Sequence, residues 1–287
     1  MGDRIHTRTK ALLIAGLLCA LLLCMLWGAG AGTLSTQQTQ VPATPPFTGT
    51  LTTDTWGVFD PKTGALVAGE NVHAVRPIAS VTKLFTAAVV LQSEQRDTAF
   101  TILAADLAAE GRAGRLAAGE RMTPYHLLFP LILESSNDAA GAIARMLGGD
   151  FERLRALAIA DARLADTILV DGSGLSEQNV STVTDLARFF AYLKYTAPHL
   201  LDISQLRQYL TETAAYQNND PARAFAAFTG GKHGFTDASG ETFVGSFRTE
   251  EGREVGVVLL GSTDLTADIG TLLPYLDAVS ASGILAP

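Results

Sequence analysis

The chain has 287 residues, of which 47% are hydrophobic and 17% charged, and its formal net charge at pH 7 is −8. This composition excludes an intrinsically disordered protein, because it supplies enough apolar surface for one folded domain of about 250 residues plus extensions. The acidic balance, without a lysine- or arginine-rich patch, argues against a nucleic-acid partner.

The N-terminal 32 residues predict a membrane segment. Arg4, Arg8 and Lys10 precede a leucine-rich run from 11 to 32 that contains no charged residue. A helix of that length reaches roughly 33 Å and crosses a bilayer, and the positive flank predicts that the rest of the chain is exported. We favour an uncleaved single-pass anchor. A cleaved secretory signal is the alternative, because Ala-Gly-Ala at 29–31 would serve as a small-residue cleavage site.

A change in composition follows the membrane segment. Residues 33–46, TLSTQQTQVPATPP, carry no charge and contain three prolines, which is typical of an extended spacer. From 47 to 287 the composition is that of a globular protein, with no repeat and no second linker. The predicted organisation is therefore a basic flank plus anchor or signal segment at 1–32, a linker at 33–46 and one folded domain at 47–287.

The residues that usually bind metals are sparse. Both cysteines, Cys19 and Cys24, lie in the apolar run, so the predicted exported part has neither a thiol nor a disulfide. The five histidines stand at positions 6, 73, 126, 199 and 233, and no two of them have metal-ligand spacing. The sequence predicts no metal site and no cofactor.

Strands are predicted at both ends of the domain, with helices between them. The stretch TWGVFDPKTGALVAGE predicts two strands joined by a turn at 60–64, and KHGFTD, ETFVGSFRTE and REVGVVLLGS predict three more near the C-terminus. The predicted helices are VTKLFTAAVVLQ, PYHLLFPLILE, NDAAGAIARML, DFERLRALAIADA, VTDLARFFAYLK, SQLRQYLTETAA and LTADIGTLLPYLDAV. This order implies an α+β fold, with one antiparallel sheet of about five strands flanked by helices, and a mostly helical lobe. The first and last strands of that sheet are expected to meet.

Three short motifs contain the candidate catalytic residues. Ser80 and Lys83 begin an apolar helix, Ser-Ser-Asn at 135–137 lies between two helices, and Lys-His-Gly at 232–234 opens a strand. A serine hydroxyl needs a base within hydrogen-bond reach to act as a nucleophile, and spacing of i to i+3 on a helix puts Lys83 on the same face as Ser80. Burial and the nearby cation Lys232 would lower the pKa of Lys83 from its free value of about 10.4.

Each motif residue also has a purely structural explanation. Ser80 could be a helix cap and Lys83 a snorkelling side chain, and Ser135 and Asn137 could cap the following helix. Lys232 could be a solvated turn residue. The joint pattern favours catalysis, and a helix N-terminus at Ser80 would place unpaired N–H groups and the positive end of the helix dipole where an oxyanion forms.

The order and separation of the three motifs resemble those of penicillin-binding proteins and serine β-lactamases. Four longer blocks resemble, in sequence and order, those of the low-molecular-weight D-alanyl-D-alanine carboxypeptidases: RPIASVTKLFTA, AGERMTPYHLLFPLILESSNDAAGAIA, DGSGLSEQNVSTVTDLARF and GGKHGFTDASG. The resemblance covers nearly all of 47–287. It implies the α+β fold of that superfamily and a penicillin-sensitive serine peptidase that acts on peptidoglycan.

The resemblance implies catalytic roles for four residues. Ser80 would form the acyl-enzyme, and Lys83 would take its proton. Ser135 would relay a proton between Lys83 and the leaving amine, and Asn137 would hold the substrate amide.

The same resemblance implies substrate-binding roles along one strand. Lys232 would attract the terminal carboxylate of the peptide, with His233 and Gly234 beside it. The backbone N–H groups of Ser80 and Phe235 would form the oxyanion hole.

Two departures from the family concern this carboxylate. Most relatives have threonine, whose hydroxyl contacts the carboxylate, in place of His233. Many also place an arginine shortly after the last strand, whereas 261–270, GSTDLTADIG, contains none. We hypothesise that His233 supplies a cationic contact when protonated, since histidine changes its charge near pH 6.5. The alternative is that histidine is a tolerated substitute without a role in binding.

The sequence therefore predicts a membrane-tethered serine D,D-carboxypeptidase of the cell envelope, outside the cytoplasm. It would remove the terminal D-Ala from peptidoglycan stem peptides and be inhibited by β-lactams. Alternatives on the same fold are a D,D-endopeptidase, a transpeptidase and a β-lactamase, for which Glu177 is the only glutamate in 161–180. A non-catalytic wall-binding module is the alternative from another functional class.

Overall fold

The computed structural model describes residues 43–111 and 114–286. The predicted membrane segment and most of the predicted linker, 1–42, lie outside the described residues. Within the described ranges, no helix has both the length and the apolar character needed to span a bilayer. The described residues belong to the compact unit Pro42–Pro287.

The predicted α+β architecture is confirmed. The strands, in chain order, are β1 (Thr55–Phe59), β2 (Leu66–Glu70), β3 (Arg76–Pro77), β4 (Phe100–Thr101), β5 (Arg121–Met122), β6 (Val180–Ser181), β7 (Gln208–Leu210), β8 (Ala215–Gln217), β9 (Phe228–Thr236), β10 (Gly240–Arg248) and β11 (Glu254–Ser262). Five of them form the main antiparallel sheet, in the order β2-β1-β11-β10-β9, and the others pair as short two-stranded ladders. Strand β1 pairs with β11, so the first and last strands meet as the sequence predicted.

Seven α-helices surround this sheet in the described part of the chain. They are α1 (Thr82–Gln92), α2 (Pro124–Leu133), α3 (Asn137–Leu147), α4 (Gly149–Asp161), α5 (Val183–Thr196), α6 (Pro198–Gln205) and α7 (Leu265–Ala281). Alternate residues of each strand point to opposite faces of a sheet, so β11 contributes to two cores. Val257 and Leu259 pack with α7, whereas Val258 and Leu260 belong to the core that contains α1 to α6.

Helix α1 is the central helix of the helical lobe. Its residues 82–90 are all buried, as the apolar sequence VTKLFTAAVVLQ predicted, and Phe85 stacks on Phe189 of α5 with ring centroids 3.6 Å apart. The burial includes Lys83, the one charged residue of the helix, whose exposed fraction is 0%. Since an unpaired buried ammonium is costly, its neighbours must provide hydrogen-bond acceptors.

One predicted helix is wrong. The stretch SQLRQYLTETAA contains only the end of α6, followed by the hairpin of β7 and β8. The Thr211 hydroxyl accepts hydrogen bonds from two backbone N–H groups in the turn, at 3.3 and 2.9 Å, and Tyr209 stacks on Phe129 at 3.5 Å. The hydrogen bonds to the Thr211 hydroxyl and the stacking of Tyr209 on Phe129 therefore favour the hairpin over a helix in this stretch.

Candidate active site

The first motif forms a contact between a hydroxyl and an amine. Ser80 lies in a 3-10 turn, Ala79–Val81, directly before α1, and Lys83 lies in the first turn of that helix. The Nζ of Lys83 is 3.0 Å from the Oγ of Ser80. The predicted proximity of base and nucleophile is present in the structure.

Lys83 has two further acceptors. Its Nζ donates to Asn137 Oδ1 at 2.8 Å and to the backbone carbonyl of Ser173 at 2.6 Å. The Asn137 contact joins the first two motifs. The Ser173 contact was not predicted, because a backbone acceptor has no signature in the sequence.

The second motif forms a tight turn between α2 and α3. Ser135 adopts a left-handed conformation with φ of +58°, and the hydroxyl of Ser136 accepts the N–H of Ala139 at 3.0 Å. The expectation that Ser135 or Asn137 caps α3 is therefore wrong. Because the middle serine is the cap, the side chains on either side of it remain available to line the cleft.

The amide of Asn137 is engaged at both ends. Its Oδ1 accepts from Lys83, and its Nδ2 donates to the backbone carbonyl of Glu110 at 2.6 Å. Each end keeps one further hydrogen-bonding position, a lone pair on Oδ1 and an N–H on Nδ2, with which a substrate amide could pair. The substrate-holding role of Asn137 thus stays a prediction, while its contact with the lysine is part of the structure.

The third motif lies on β9, an edge strand of the main sheet. The N–H of Gly231 donates to Ser204 Oγ at 3.0 Å, and the N–H of His233 donates to Asp220 Oδ2 at 2.9 Å. Both N–H groups therefore point away from β10. Because alternate N–H groups of a strand share one direction, that of Phe235 also points outward from this edge.

Strand β9 approaches the nucleophile turn closely. A Cβ atom on Gly234 would lie only 2.5 Å from the backbone nitrogen of Ser80, so no larger residue fits without a shift of the backbone. The outward N–H of Phe235 follows this point of contact. The two N–H groups expected to form the oxyanion hole thus belong to backbone segments that abut each other.

A cleft of about 170 Å³ opens at this junction. Its lining residues are Ser80, Gly111, Ser135, Asn137, Gly174, Leu175, His233, Gly234, Phe235 and Thr236. Six of the predicted site residues therefore share one cleft, and Lys83 reaches it through Ser80. Four lining residues were not predicted from the sequence: Gly111, Gly174, Leu175 and Thr236. The glycine-flanked segment DGSGLS was the available signal for two of them.

Lys232 is buried beside the cleft. Its exposed fraction is 3%, and its Nζ donates to the carbonyl of His233 at 2.6 Å. Burial raises the pKa of the Asp220 carboxyl, and the Lys232 ammonium acts in the opposite direction. Lys232 thus lies behind the edge strand, near the carboxylate that holds the N–H of His233.

His233 lies at the end of the cleft, next to a carboxylate. Its Nε2 is 3.7 Å from Glu241 Oε1, and its side chain is 12% exposed. The other oxygen of Glu241 accepts the N–H of Leu265, the first residue of α7, at 2.7 Å. Across the described residues, no group of three or more His, Cys, Asp or Glu side chains is arranged to hold a metal ion.

The model of the peptidase family S11, described as D-alanyl-D-alanine carboxypeptidase, matches residues 38–263. The chain belongs to this family. The predicted family, the fold and the enzyme class are thereby confirmed.

Individual members of the carboxypeptidase family agree with this assignment. A D-alanyl-D-alanine carboxypeptidase of Mycobacterium tuberculosis is 30% identical over 207 residues, which cover 67% of this chain and 69% of that protein. A D-alanyl-D-alanine endopeptidase of Pseudomonas aeruginosa is 35% identical over 136 residues, which cover 46% and 44% of the two chains. The crystal structure of a D-alanyl-D-alanine carboxypeptidase from M. tuberculosis superposes with a TM-score of 0.75 at 26% identity, covering 83% of this chain and 96% of that one.

Proposed function

We propose that this protein is a serine D,D-carboxypeptidase that removes the terminal D-Ala from peptidoglycan stem peptides through an acyl-enzyme on Ser80. The observation that supports this proposal best is the 3.0 Å contact between Lys83 Nζ and Ser80 Oγ at the floor of the cleft. A hydroxyl with an amine at hydrogen-bond distance is the arrangement that nucleophilic catalysis requires.

In the acylation step, the neutral amine of Lys83 removes the proton of Ser80 while Oγ attacks the carbonyl carbon of the penultimate residue. The new C–O bond leaves a negative charge on the carbonyl oxygen, which the N–H groups of Ser80 and Phe235 stabilise. The C–N bond then breaks. Ser135 passes the proton from Lys83 to the leaving amine, and free D-Ala departs.

Deacylation repeats this sequence with water as the nucleophile. A water molecule attacks the ester carbonyl and gives a proton to Lys83, and the Ser80 oxygen takes a proton as it leaves. The products are the shortened stem peptide and the free enzyme. A β-lactam would acylate Ser80 in the same way, but its ring-opened product stays attached.

Recognition of the terminal carboxylate is assigned to the third motif. Lys232 supplies a fixed positive charge behind β9, and a protonated His233 supplies a second one at the end of the cleft. The position of His233 among the lining residues supports this role.

The family acts on the cell wall, so the site belongs to the cell envelope outside the cytoplasm. We further propose that the apolar run at 11–32 tethers the enzyme to the membrane. The spacer at 33–46 would then hold the catalytic domain, 47–287, within reach of the wall.

The decisive experiment combines labelling with product analysis. Wild-type protein is expected to form a long-lived adduct with a fluorescent penicillin and to release D-Ala from diacetyl-Lys-D-Ala-D-Ala. Ser80→Ala should lose both activities, whereas Ser282→Ala, at the end of α7, should retain them.

Other outcomes identify the alternatives. A transient adduct would indicate a β-lactamase, and no adduct with the wild type would indicate a wall-binding module. The endopeptidase relative makes cleavage of cross-linked peptides the second candidate. Chromatography of digested cross-linked muropeptides would separate that activity from the release of D-Ala.

A further inference from the structure

We propose that Asp171 is a positioning residue for Lys83: its carboxylate shapes the turn at 171–176 so that the Ser173 carbonyl fixes the lysine amine toward Ser80. This inference rests on the proposed function and adds a residue to it. The three motifs do not include Asp171, and its side chain does not line the cleft.

The carboxylate of Asp171 organises the turn by accepting four hydrogen bonds. Oδ1 accepts the N–H of Ser173 at 2.7 Å, the hydroxyl of Ser173 at 2.9 Å and the N–H of Gly174 at 2.6 Å. Oδ2 accepts the N–H of Ser176 at 2.9 Å. Burial raises the pKa of this carboxyl, but these hydrogen bonds outweigh burial and the pKa is lowered. Asp171 is therefore ionised at neutral pH.

The turn is attached to the protein on both sides. The buried side chain of Asn179 accepts the N–H groups of Val170 and Asp171 at 2.7 and 3.2 Å, and its backbone carbonyl accepts the N–H of Ile78 at 3.0 Å. Thr86 in α1 donates its hydroxyl to the Gly172 carbonyl at 2.7 Å. The turn is thus fixed relative to both the nucleophile segment and the helix that contains Lys83.

Gly174 brings the turn into contact with the nucleophile segment. Its φ is +86°, and a Cβ atom there would lie 1.9 Å from the carbonyl oxygen of Ala79, so only glycine fits. The N–H of Gly174 is one of the groups that Asp171 holds. The same carboxylate therefore sets the close approach to Ala79 and the direction of the Ser173 carbonyl.

The Ser173 carbonyl controls the direction of the lysine lone pair. A neutral amine has two N–H donors and one lone pair. Ser80 Oγ, Asn137 Oδ1 and the Ser173 carbonyl oxygen lie 3.0, 2.8 and 2.6 Å from Lys83 Nζ. Because the Asn137 Oδ1 and Ser173 carbonyl oxygens can only accept hydrogen bonds, they bind the two N–H groups, and the lone pair points at the Ser80 hydroxyl. Without the Ser173 acceptor, the amine can rotate and lose this alignment.

The test measures acylation of the full-length protein by a fluorescent penicillin across about pH 5 to 10, the range around the free lysine pKa. Asp171→Ala should acylate about 100-fold more slowly, the usual cost of a misplaced reacting group. The acid limb of its pH profile should move to lower pH, because the ammonium loses an acceptor and a nearby negative charge. Asp171→Asn should be intermediate, because its amide oxygen can still accept the bonds made to Oδ1.

Glu177→Gln is the matched control, because Glu177 is an exposed carboxylate that directly follows the turn at 171–176. It should acylate at the wild-type rate. In a Lys83→Ala background, where slow acylation is followed by mass spectrometry, Asp171→Ala should cause no further loss. If Asp171→Ala fails to fold, Asp171→Asn, which keeps the size of the side chain, decides the question.

Wild-type rate and pH profile in the folded Asp171 variants would overturn the inference, and so would a full additional loss in the Lys83→Ala background. Failure of the proposed function would appear differently, as wild-type protein that is not acylated on Ser80.

Discussion

His233 stands where the sequence resemblance leads us to expect a threonine. His233 lines the cleft, and its Nε2 is 3.7 Å from Glu241 Oε1. Glu241 is itself held by the N-terminus of α7 through the N–H of Leu265. Histidine changes its charge near pH 6.5, and its protonated form can bind a carboxylate.

We therefore expect a pH-dependent advantage of His233 over a threonine at the same position. The ratio of kcat/KM for wild type to that for His233→Thr, on a peptide ending in D-Ala-D-Ala, should rise as the pH falls through about 6.5. The ratio is the appropriate measurement because protonation of Lys83 slows both proteins alike. His199→Thr, at a solvated position on α6, is the control, and a ratio independent of pH would exclude the cationic role of His233.

The site residues differ in how far the sequence alone can reveal them. Side-chain chemistry and spacing predict Ser80 and Lys83, whereas Asn137 and Gly234 were predicted from the resemblance to a known family. The partner that Lys83 finds in the Ser173 carbonyl was not, because every residue has a carbonyl and only the fold selects one.

At the scale of elements, a short segment, 104–110, contacts the start of α3, and we call it the strap. It begins with the 3-10 turn Ala104–Leu107 and reaches Asn137 through the Glu110 carbonyl. Asp106 fixes this turn, because its two oxygens accept from Arg145 of α3 at 2.7 Å each. Burial raises the pKa of Asp106, but the bonds from Arg145 and from the N–H of Leu103 outweigh burial and lower it.

Asp106→Asn should reduce the free energy of unfolding at neutral pH by about 1.5–3 kcal/mol, the usual contribution of hydrogen bonds to a charged group. A carboxyl with a lowered pKa stabilises the fold above its unfolded value of 3.8 and loses that effect as the pH falls through the folded value. The difference between variant and wild type in urea unfolding should therefore shrink below about pH 4.

Asp150→Asn is the comparison for this measurement. It removes an exposed ion pair with Arg153 on α4, so its effect should stay below about 1 kcal/mol. An equal effect of the two substitutions, or a pH-independent effect of Asp106→Asn, would mean that the strap does not depend on the buried carboxylate.

The elements themselves were predictable where local pattern and tertiary packing agree. Helix α1 and strands β10 and β11 follow from apolar runs with clear ends, whereas β9 begins at Phe228, four residues before the predicted strand KHGFTD. The hairpin of β7 and β8 does not follow in this way, because its Tyr209 is fixed by stacking on Phe129, far away in the chain. A helical pattern in a short amphipathic stretch cannot reveal such a contact.

At the scale of the molecule, the unit Pro42–Pro287 contains both cores, one on each face of the main sheet. Its described part includes every residue assigned to the site. The stability of the cleft should therefore depend on this unit alone.

A protein that begins at residue 43 is expected to unfold at the same temperature as the full-length chain and to react equally fast with penicillin. Membrane attachment should differ: only the full-length chain should sediment with membranes, because only it contains the apolar run at 11–32. Full-length Ser80→Ala should sediment like the wild type. If the shortened protein also sedimented with membranes, the catalytic domain itself would be the part that binds them.

The pairing of β1 with β11 also has a consequence for biogenesis. Val58 lies opposite Val257, so the sheet joins segments about 200 residues apart in the chain. Such a long-range pairing cannot form until β11 is available, and closing so large a loop makes folding slow. On the proposed export route, the main sheet would therefore stay incomplete while the domain 47–287 crosses the membrane, and the enzyme would become able to react with peptides only after its last strand has reached the far side.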